Sequence, residues 1–530
     1  MPDPVHLLLV PSQGWGHIRS MLQLGLDLLN VSLDVHLTVL VLPAVAAQTR
    51  QELAQHKELR KDGRGMDRLR CVEVRVEDGD VDYEDQWSDS MPGFGKTLRD
   101  LLKGSEETQG VFGTAPKLII YDTWPHDITV IVRQIAKQLD MHSPTCLFLG
   151  PMVCGLPEFG GRVEGFIDRW AQNKNSGMSD SDAGAKAFLN IQGELLEPPD
   201  LPPMYDYEYH PQLLASPFPA RFAPRGQAYH DARIECDGMI TFGVDEIEGW
   251  ATEQLVKSLR GRPVFAVGPQ IDDEAWHEMS PSVRKAYTPI ERESIEFLDQ
   301  MLEQYGPRST VLISFGTQCW PVNRPELIEY LLETIMTATP PLPFLFATAR
   351  EGSTISDRLL AKVEASRRGK ILKWVPQPTV LQHEAIRFFV SHCGSGSTVE
   401  AMCANVPIVA MPFQHDQTLW AQVREWQSSL IFQRCSDKSS LVSRKFGAAI
   451  QLHQANTGMK GLPLGSGGAV SELEEDIKSE MQDAWETMRG PRYEAMREKM
   501  RELGMIIRKS VESGQARRAR EEVARRYLSG

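Results

Sequence analysis

At 530 residues, with 42% hydrophobic and 24% charged residues, the chain exceeds one ordinary core and suits two domains. Its net charge of −14 argues against nucleic acid as the main partner, because a phosphate backbone needs a basic face. No run of eighteen apolar residues occurs, so no membrane span is expected, and Val5–Val10 lacks the basic flank and cleavage site of a secretory leader. The eight cysteines are scattered, without CxxC pairs, which fits structural thiols in a reducing, cytoplasmic setting.

In chain order, Val5–Val10 reads as a strand, followed by a Gly-rich loop at 11–16. Apolar Ile18, Met21, Leu22, Leu26 and Leu29 then recur at helical spacing. Residues 35–42 and 118–121 read as strands, the latter ending at Asp122; 128–139 is helical and 145–149 strand-like. This alternation predicts a parallel, doubly wound sheet. Residues 197–228, dense in Pro and aromatics, predict irregular surface, and strands return at 238–242 and 264–267. A second alternation runs through a helix at 295–304 and strands at 310–315, 344–348, 371–374, 388–391 and 408–411. The expected architecture is therefore α/β, with two Rossmann-like domains facing across a cleft. Its parts are a first domain at 1–270, a polar linker at 271–290, a second domain at 291–510 and a terminal helix at 511–530 packing back on the first. The Arg-Glu interleaving of 516–527 predicts a solvated helix face rather than a nucleic-acid arm.

Residues 374–417 read WVPQPTVLQHEAIRFFVSHCGSGSTVEAMCANVPIVAMPFQHDQ. A strand carrying Trp374, a proline turn and a short helix lead to a strand ending at His392. The loop from His392 through Cys393, Gly394, Ser395 and Gly396 then opens a helix at Ser397. That loop has the chemistry of a diphosphate cradle: glycines admit close backbone approach, a helix amino terminus offers N–H groups, and His392 can donate. Neither a Walker lysine motif nor GxGxxG occurs. Blander readings stand beside this one. Ser397-x-x-Glu400 can be a capping box, Trp374 a core residue, and Asp416 a helix cap.

The whole segment resembles the signature box of UDP-dependent glycosyltransferases of the GT-B fold, known from plant secondary-product enzymes. The resemblance rests on Trp374, Pro376-Gln377, Leu381, His383, Phe389, His392, Gly394, Ser397, Glu400, Val406-Pro407, Pro412 and the closing Asp416-Gln417, all at the family's spacing. It implies that Trp374 stacks on uracil, with Val375 and Gln377 around base and ribose. Glu400 would accept from the ribose hydroxyls, and His392, Gly394, Gly396 and Ser397 would hold the diphosphate. Asp416 and Gln417 would read the sugar. Ser395 and Gly396 stand where plant enzymes usually carry Trp-Asn. Residues 311–317, VLISFGT, are similar to the family's strand and Gly-Ser turn at the diphosphate, placing Gly316 and Thr317 there, with Thr317 replacing the serine. Val267-Gly268-Pro269 resembles the end of the family's first domain.

Inverting sugar transfer needs a base near the acceptor oxygen, and His suits neutral pH. His17, in the loop Pro11-Ser12-Gln13-Gly14-Trp15-Gly16-His17, resembles the family's Gly-His base, and Asp122 occupies the place of its carboxylate; Asp127 is the weaker alternative. The resemblance implies transfer of a sugar, glucose by preference, from a UDP-sugar to a small apolar acceptor such as a phenol, polyketide, sterol or lipid. It implies neither a metal nor a cofactor, and a monomer is expected. Trp15, Trp124 and Met152 follow strand ends and are candidates to line the acceptor pocket. Asp78-Gly79-Asp80 and Asp180-Ser181-Asp182 imitate the DxD motif of metal-dependent transferases but read as solvated loops. The competing readings are a catalytically inactive UDP-sugar-binding regulator and an epimerase or hydrolase of the UDP-sugar.

Overall fold

The computed structural model describes residues 4–12, 14–31, 35–59, 68–75, 86–104, 112, 114–122, 128–150, 166–196, 203–212, 233–271, 273–276, 288–350, 352–414, 416–425 and 447–528. They contain fifteen strands, numbered β1–β15 in chain order. Chain contacts separate two compact units. The first comprises Met1–Phe188, Pro219–Ile271 and Lys509–Gly530; the second comprises Leu189–Phe218 and Asp272–Arg508. Each is a Rossmann-like α/β body, as expected.

In the first unit, β1 (Val5–Val10), β2 (Val35–Val41), β3 (Leu69–Glu73), β4 (Pro116–Tyr121), β5 (Thr145–Gly150), β8 (Gly238–Thr241) and β9 (Val264–Ala266) form one parallel sheet. Their order is β3-β2-β1-β4-β5-β8-β9. The central strands are apolar throughout because helices cover both faces; every residue of β1 is buried. The helix Trp15–Val31 presents Ile18, Met21, Leu22, Leu26 and Leu29 to the core. The helix Gln515–Tyr527 packs on it and on β9, burying Ala516, Val523 and Ala524. Its outer arginines pair with its own acids, Arg517 with Glu521 and Arg525 with Glu522. Arg520 departs from the solvated face expected there: it is buried and bound to Asp27 at 2.6 Å.

The second unit carries β10 (Thr310–Ser314), β11 (Phe344–Ala347), β12 (Gly369–Leu372), β13 (Ile386–Ser391), β14 (Ile408–Ala410) and β15 (Ala449–Gln451) in the parallel order β12-β11-β10-β13-β14-β15. Its core is the more aromatic. Trp485 is fully buried, stacks on Phe388 with centroids 5.6 Å apart, and donates its indole N–H to Thr334 Oγ1 at 3.1 Å. Burying a side chain of that size with its polar atom satisfied stabilises by roughly 2–3 kcal/mol.

Three expectations are corrected here. Leu189–Phe218, assigned from sequence to the first domain, belongs to the second unit. Within it, β6 (Leu195–Leu196) pairs antiparallel with β7 (Met204–Tyr205), and a 3₁₀ turn, Asp206–Tyr209, follows. This strap is not the irregular surface that its composition suggests. Met204, Asp206, Tyr207 and Tyr209 are all at most 3% exposed. The reason is local: Asp206 accepts the backbone N–H groups of Gln192 and Gly193, and Glu208 accepts those of Tyr205 and Gly465. Two carboxylates thereby satisfy backbone that would otherwise stay in water. The polar stretch expected as a linker also groups, from Asp272 onward, with the second unit.

Candidate active site

Both sheets reverse winding direction beside their first strand. The neighbours at that reversal are β1 and β4 in the first unit, β10 and β13 in the second. Loops leaving the carboxyl ends of such a strand pair diverge and leave a crevice, where ligands of open α/β sheets bind.

In the first unit the loop after β1 turns at Gly14, whose carbonyl accepts from His17 N–H at 2.9 Å and Ile18 N–H at 3.1 Å, starting the helix. A Cβ on Gly14 would lie 3.1 Å from His17 Cδ2, a tight approach that the ring would have to yield to by a few tenths of an ångström. Asp122 directly follows β4, its N–H bonded to Val10 O at 3.1 Å, and its carboxylate is 2% exposed. A buried carboxylate requires partners. Asp122 Oδ2 accepts the Ser12 hydroxyl at 2.7 Å and contacts His17 Nδ1 at 2.8 Å. A carboxylate facing Nδ1 favours the tautomer with its proton there, which makes Nε2 the basic nitrogen. The His17 side chain is half exposed while its carboxylate is covered. Ser12 had no assigned role in the sequence reading. Only the adjacency of β1 and β4, unknown from sequence, brings it to Asp122.

Of the acceptor-side candidates, Trp15 opens the helix and is half-buried against the first core. Trp124 and Met152 lie outside the described residues, as does Asp127.

In the second unit β10 runs into Phe315 and then Gly316, whose φ of +68° favours glycine. A Cβ there would stand 2.8 Å from His392 Nε2. From the neighbouring strand, β13 delivers His392 and then Cys393, a buried residue with φ +62°. This left-handed turn, held by Cys393 N–H to Ser391 Oγ at 3.0 Å, aims the next helix. Gly394 is that helix's N-cap and its own Cβ would meet His392 Nε2 at 2.5 Å. Burial pushes His392 down to about 4, so the ring is neutral at ordinary pH, and its buried Nδ1 has no hydrogen-bond partner. A neutral imidazole between two glycine turns and a helix amino terminus can serve an anion through N–H groups rather than through a standing charge.

The helix spans Ser395–Cys403 and not, as read from sequence, from Ser397 onward. Ser397 is therefore at N3, and the Ser397–Glu400 capping box is not formed, because the left-handed turn at Cys393 starts the helix earlier. Glu400 is instead bound by Gln377 Nε2 at 2.6 Å, and the same nitrogen donates to Ser397 Oγ at 3.0 Å. Trp374 lies two residues beyond the end of β12, half-buried, beside buried Val375. Gly396 is exposed, and a Cβ there would meet nothing within 4 Å.

Asp416 opens the helix Asp416–Glu425. Gln417 behind it is 8% exposed, and its amide oxygen accepts Phe413 N–H at 2.9 Å and Gln414 N–H at 3.2 Å. Its Nε2 lies 3.4 Å from Cys319 Sγ. Two box residues prove to be scaffolding. His383 bonds Asp299 at 3.0 Å, and Arg387 donates to the carbonyls of Met488 and Arg308 while covering the Tyr493 ring.

Asp180 and Asp182 sit in the first turn of the helix Asp180–Leu189 rather than in a solvated loop, and Asp78 and Asp80 lie outside the described residues. Among the described residues no group of three or more His, Cys, Asp or Glu could hold a metal ion, and no helix is long and apolar enough to cross a membrane.

Known proteins resemble this chain in sequence and in fold. Residues 354–433 match the family described as UDP-glucoronosyl and UDP-glucosyl transferase. A UDP-glycosyltransferase, eriJ, of Hericium erinaceus is 25% identical over 78% of this chain and 79% of its own. A cinnamate β-D-glucosyltransferase of Fragaria ananassa is 26% identical over 78% of this chain and 68% of its own. The crystal structure of a UGT transferase from Siraitia grosvenorii in complex with UDP superposes with a TM-score of 0.66 at 18% identity, covering 99% of this chain and 100% of that one. The matched segment, the two Rossmann-like units and relatives aligned over most of their length make the chain similar to UDP-glycosyltransferases, enzymes that transfer a glycosyl group from a UDP-sugar to an acceptor.

Proposed function

We propose that the transferred sugar is glucose, that transfer inverts the anomeric carbon without a metal, and that the acceptor is a hydroxyl of a small apolar molecule. The observation that carries this reading is the pair of His17 and Asp122, 2.8 Å apart, with Ser12 closing the carboxylate's second contact. His17 Nε2 takes the acceptor proton as the acceptor oxygen bonds to C1. The C1–O bond to the diphosphate breaks, and its electron pair leaves with UDP. Asp122 orients the imidazole and stabilises the cation that forms. The negative charge gathering on the diphosphate meets the amide end of the helix Ser395–Cys403, the Gly316–Thr317 turn and His392, so no metal is needed for that step.

In this reading Trp374 stacks on uracil, with Val375 beside the base, and Glu400, held by Gln377, accepts from the ribose hydroxyls. Asp416 and Gln417 read the equatorial 3- and 4-hydroxyls of glucose. A misdirected hydroxyl leaves a buried partner unpaired at about 1–3 kcal/mol. UDP-glucose should thus exceed UDP-galactose by roughly ten- to a hundredfold in kcat/KM. Arg387, the one cation of residues 374–417, is committed to backbone carbonyls, so UDP-glucuronate should be a poor donor. The name of the Fragaria ananassa relative supports glucose and a small aromatic acceptor. The six described cysteines are free thiols, which suits a cytoplasmic setting.

The test is a donor panel of UDP-glucose, UDP-galactose, UDP-N-acetylglucosamine and UDP-glucuronate against phenols, polyketides, sterols and lipids, read by mass spectrometry and anomeric NMR coupling. A β-glucoside from the α-linked donor supports the proposal. A retained configuration or a clear preference for another donor overturns it. Tight UDP binding with no glycoside from any acceptor would instead favour the inactive regulator.

A further inference from the structure

Gln417 is held by more contacts than a sugar-reading side chain needs. Its oxygen is committed to the N–H groups of Phe413 and Gln414. Turning the amide over would set its NH₂ against those two donors, so the position of Nε2 is fixed by chemistry. That nitrogen carries two hydrogens. Cys319 Sγ lies 3.4 Å away, within range of an N–H to sulfur bond, which leaves the other hydrogen for a ligand. The frame that holds the oxygen is itself supported, because Phe413 O accepts Gln212 N–H at 3.2 Å from the buried strap.

We infer that Cys319 is a positioning residue for donor-sugar selection, whose sulfur holds the Gln417 carboxamide in the orientation that aims one N–H at the sugar. This rests on the reading that Gln417 contacts the sugar. Cys319 is 4% exposed and lies two residues after Thr317, so one short loop carries both the diphosphate turn and the partner of the sugar-reading amide. Burial pushes its thiol up to about 12, which keeps it protonated. The sulfur then accepts from Nε2, and the S–H lies 3.8 Å from Gln417 Oε1 as its own outlet. Sulfur is a weak acceptor, so its contribution is orientation more than affinity. The shell around it is apolar, with Phe315, Trp320 and Phe413 in the same core cluster.

That shell gives a way to separate positioning from packing. If Cys319 only fills space, Cys319→Ser is the worse substitution, because it adds a hydroxyl to apolar surroundings, and neither Ser nor Ala alters sugar choice. If Cys319 positions Gln417, Cys319→Ala lowers the UDP-glucose to UDP-galactose ratio of kcat/KM by about three- to tenfold, the worth of one neutral hydrogen bond. Cys319→Ser, whose hydroxyl can accept from Nε2, restores the ratio to within about twofold. Inhibition by UDP, which has no sugar, stays unchanged in both. Placed on Gln417→Ala, Cys319→Ala should lower the ratio no further. An unchanged ratio in Cys319→Ala, or losses that add in the double variant, overturns the inference. If Gln417→Ala itself keeps the wild-type ratio, the fault lies with the reading of Gln417 as a sugar contact, a failure distinguishable from the first.

Discussion

In the proposed reading the two units solve different problems at the same place in their sheets. Both gather polar groups where the sheet reverses winding direction, at β1 and β4 in one and at β10 and β13 in the other. The first unit builds its group from side chains: Ser12, His17 and a buried Asp122. The second relies on backbone, with two glycine turns, a left-handed cysteine and a helix amino terminus around a neutral histidine. A proton-transfer site needs one ionisable group held at a set tautomer, whereas a diphosphate cradle needs many donors and a close approach. The same strand arrangement supplies either, depending on what its loops carry.

The sharpest break between the units is to remove one function and spare the other. His17→Ala is expected to lower turnover by roughly 10²–10⁴ while leaving UDP affinity within about twofold. Asp122→Asn should lower turnover as well, by less. Single-turnover rates and calorimetric UDP titration check both. Near wild-type transfer by His17→Ala would sink the proposed mechanism. The converse is Gly316→Ala, which forces a side chain at φ +68° and a Cβ 2.8 Å from His392 Nε2. Its UDP affinity should fall by about ten- to a hundredfold, as 1–3 kcal/mol of strain and lost contact predicts. Intact UDP binding there would remove the Gly316 turn from the cradle.

The histidines extend the contrast to pH. Each unit buries one whose pKa burial lowers to about 4, His6 and His392. The unfolded chain binds those protons near pH 6.5, so the stability from burying neutral rings is full above 6.5 and declines as pH falls toward 4. For His6 the decline is up to roughly 3 kcal/mol, and His6→Asn should flatten that part of the profile in denaturant titrations. His6 has both nitrogens engaged, with Thr114 O at 2.7 Å and Thr38 Oγ1 at 2.8 Å, whereas His392 Nδ1 has no hydrogen-bond partner. The Gly316 and Gly394 positions face His392 Nε2, so UDP bound in that cradle should raise the titration of His392, seen by NMR, and leave His6 where it was.

The sequence was most legible where burial is continuous. The runs of β1, β10 and β13 announce themselves because helices cover both faces of the sheet. Two of the four edge strands, β9 and β12, were anticipated at 264–267 and 371–374; β3 and β15 were not, because β3 is buried only at Leu69 and Val72 and β15 is three residues long. The strap at Met204–Tyr205 and beyond was misread because its burial depends on Asp206 and Glu208 capping backbone up to 257 residues away, which composition cannot reveal. In the candidate site, fixed spacing within residues 374–417 carried the proposed donor contacts. The contact of Ser12 with Asp122 spans 110 residues and depends on strand order. Cys319 has no signal of its own in the chain.

The smallest expected effect belongs to acids that imitate a metal site. Asp180 and Asp182 open the helix Asp180–Leu189, where carboxylates complement the helix dipole. Ser179 is placed as its cap: its Oγ accepts Asp182 N–H at 3.1 Å and donates to Asp182 Oδ2 at 2.7 Å, while Asp180 pairs with Lys174 at 2.6 Å. Capping accounts for both acids without a ligand. Changing both to Asn removes about 1 kcal/mol or less of helix stability, since the site is exposed and Asn still suits a first turn. Transfer should remain within about twofold of the parent, and excess chelator should alter neither protein. His17→Ala measured alongside would lose activity by orders of magnitude, so the assay has the range to resolve a real loss. A tenfold fall in the Asn variant, restored by added Mg²⁺ or Mn²⁺, would move the chemistry to a metal-assisted route and take the charge-neutralising role away from the Ser395–Cys403 helix.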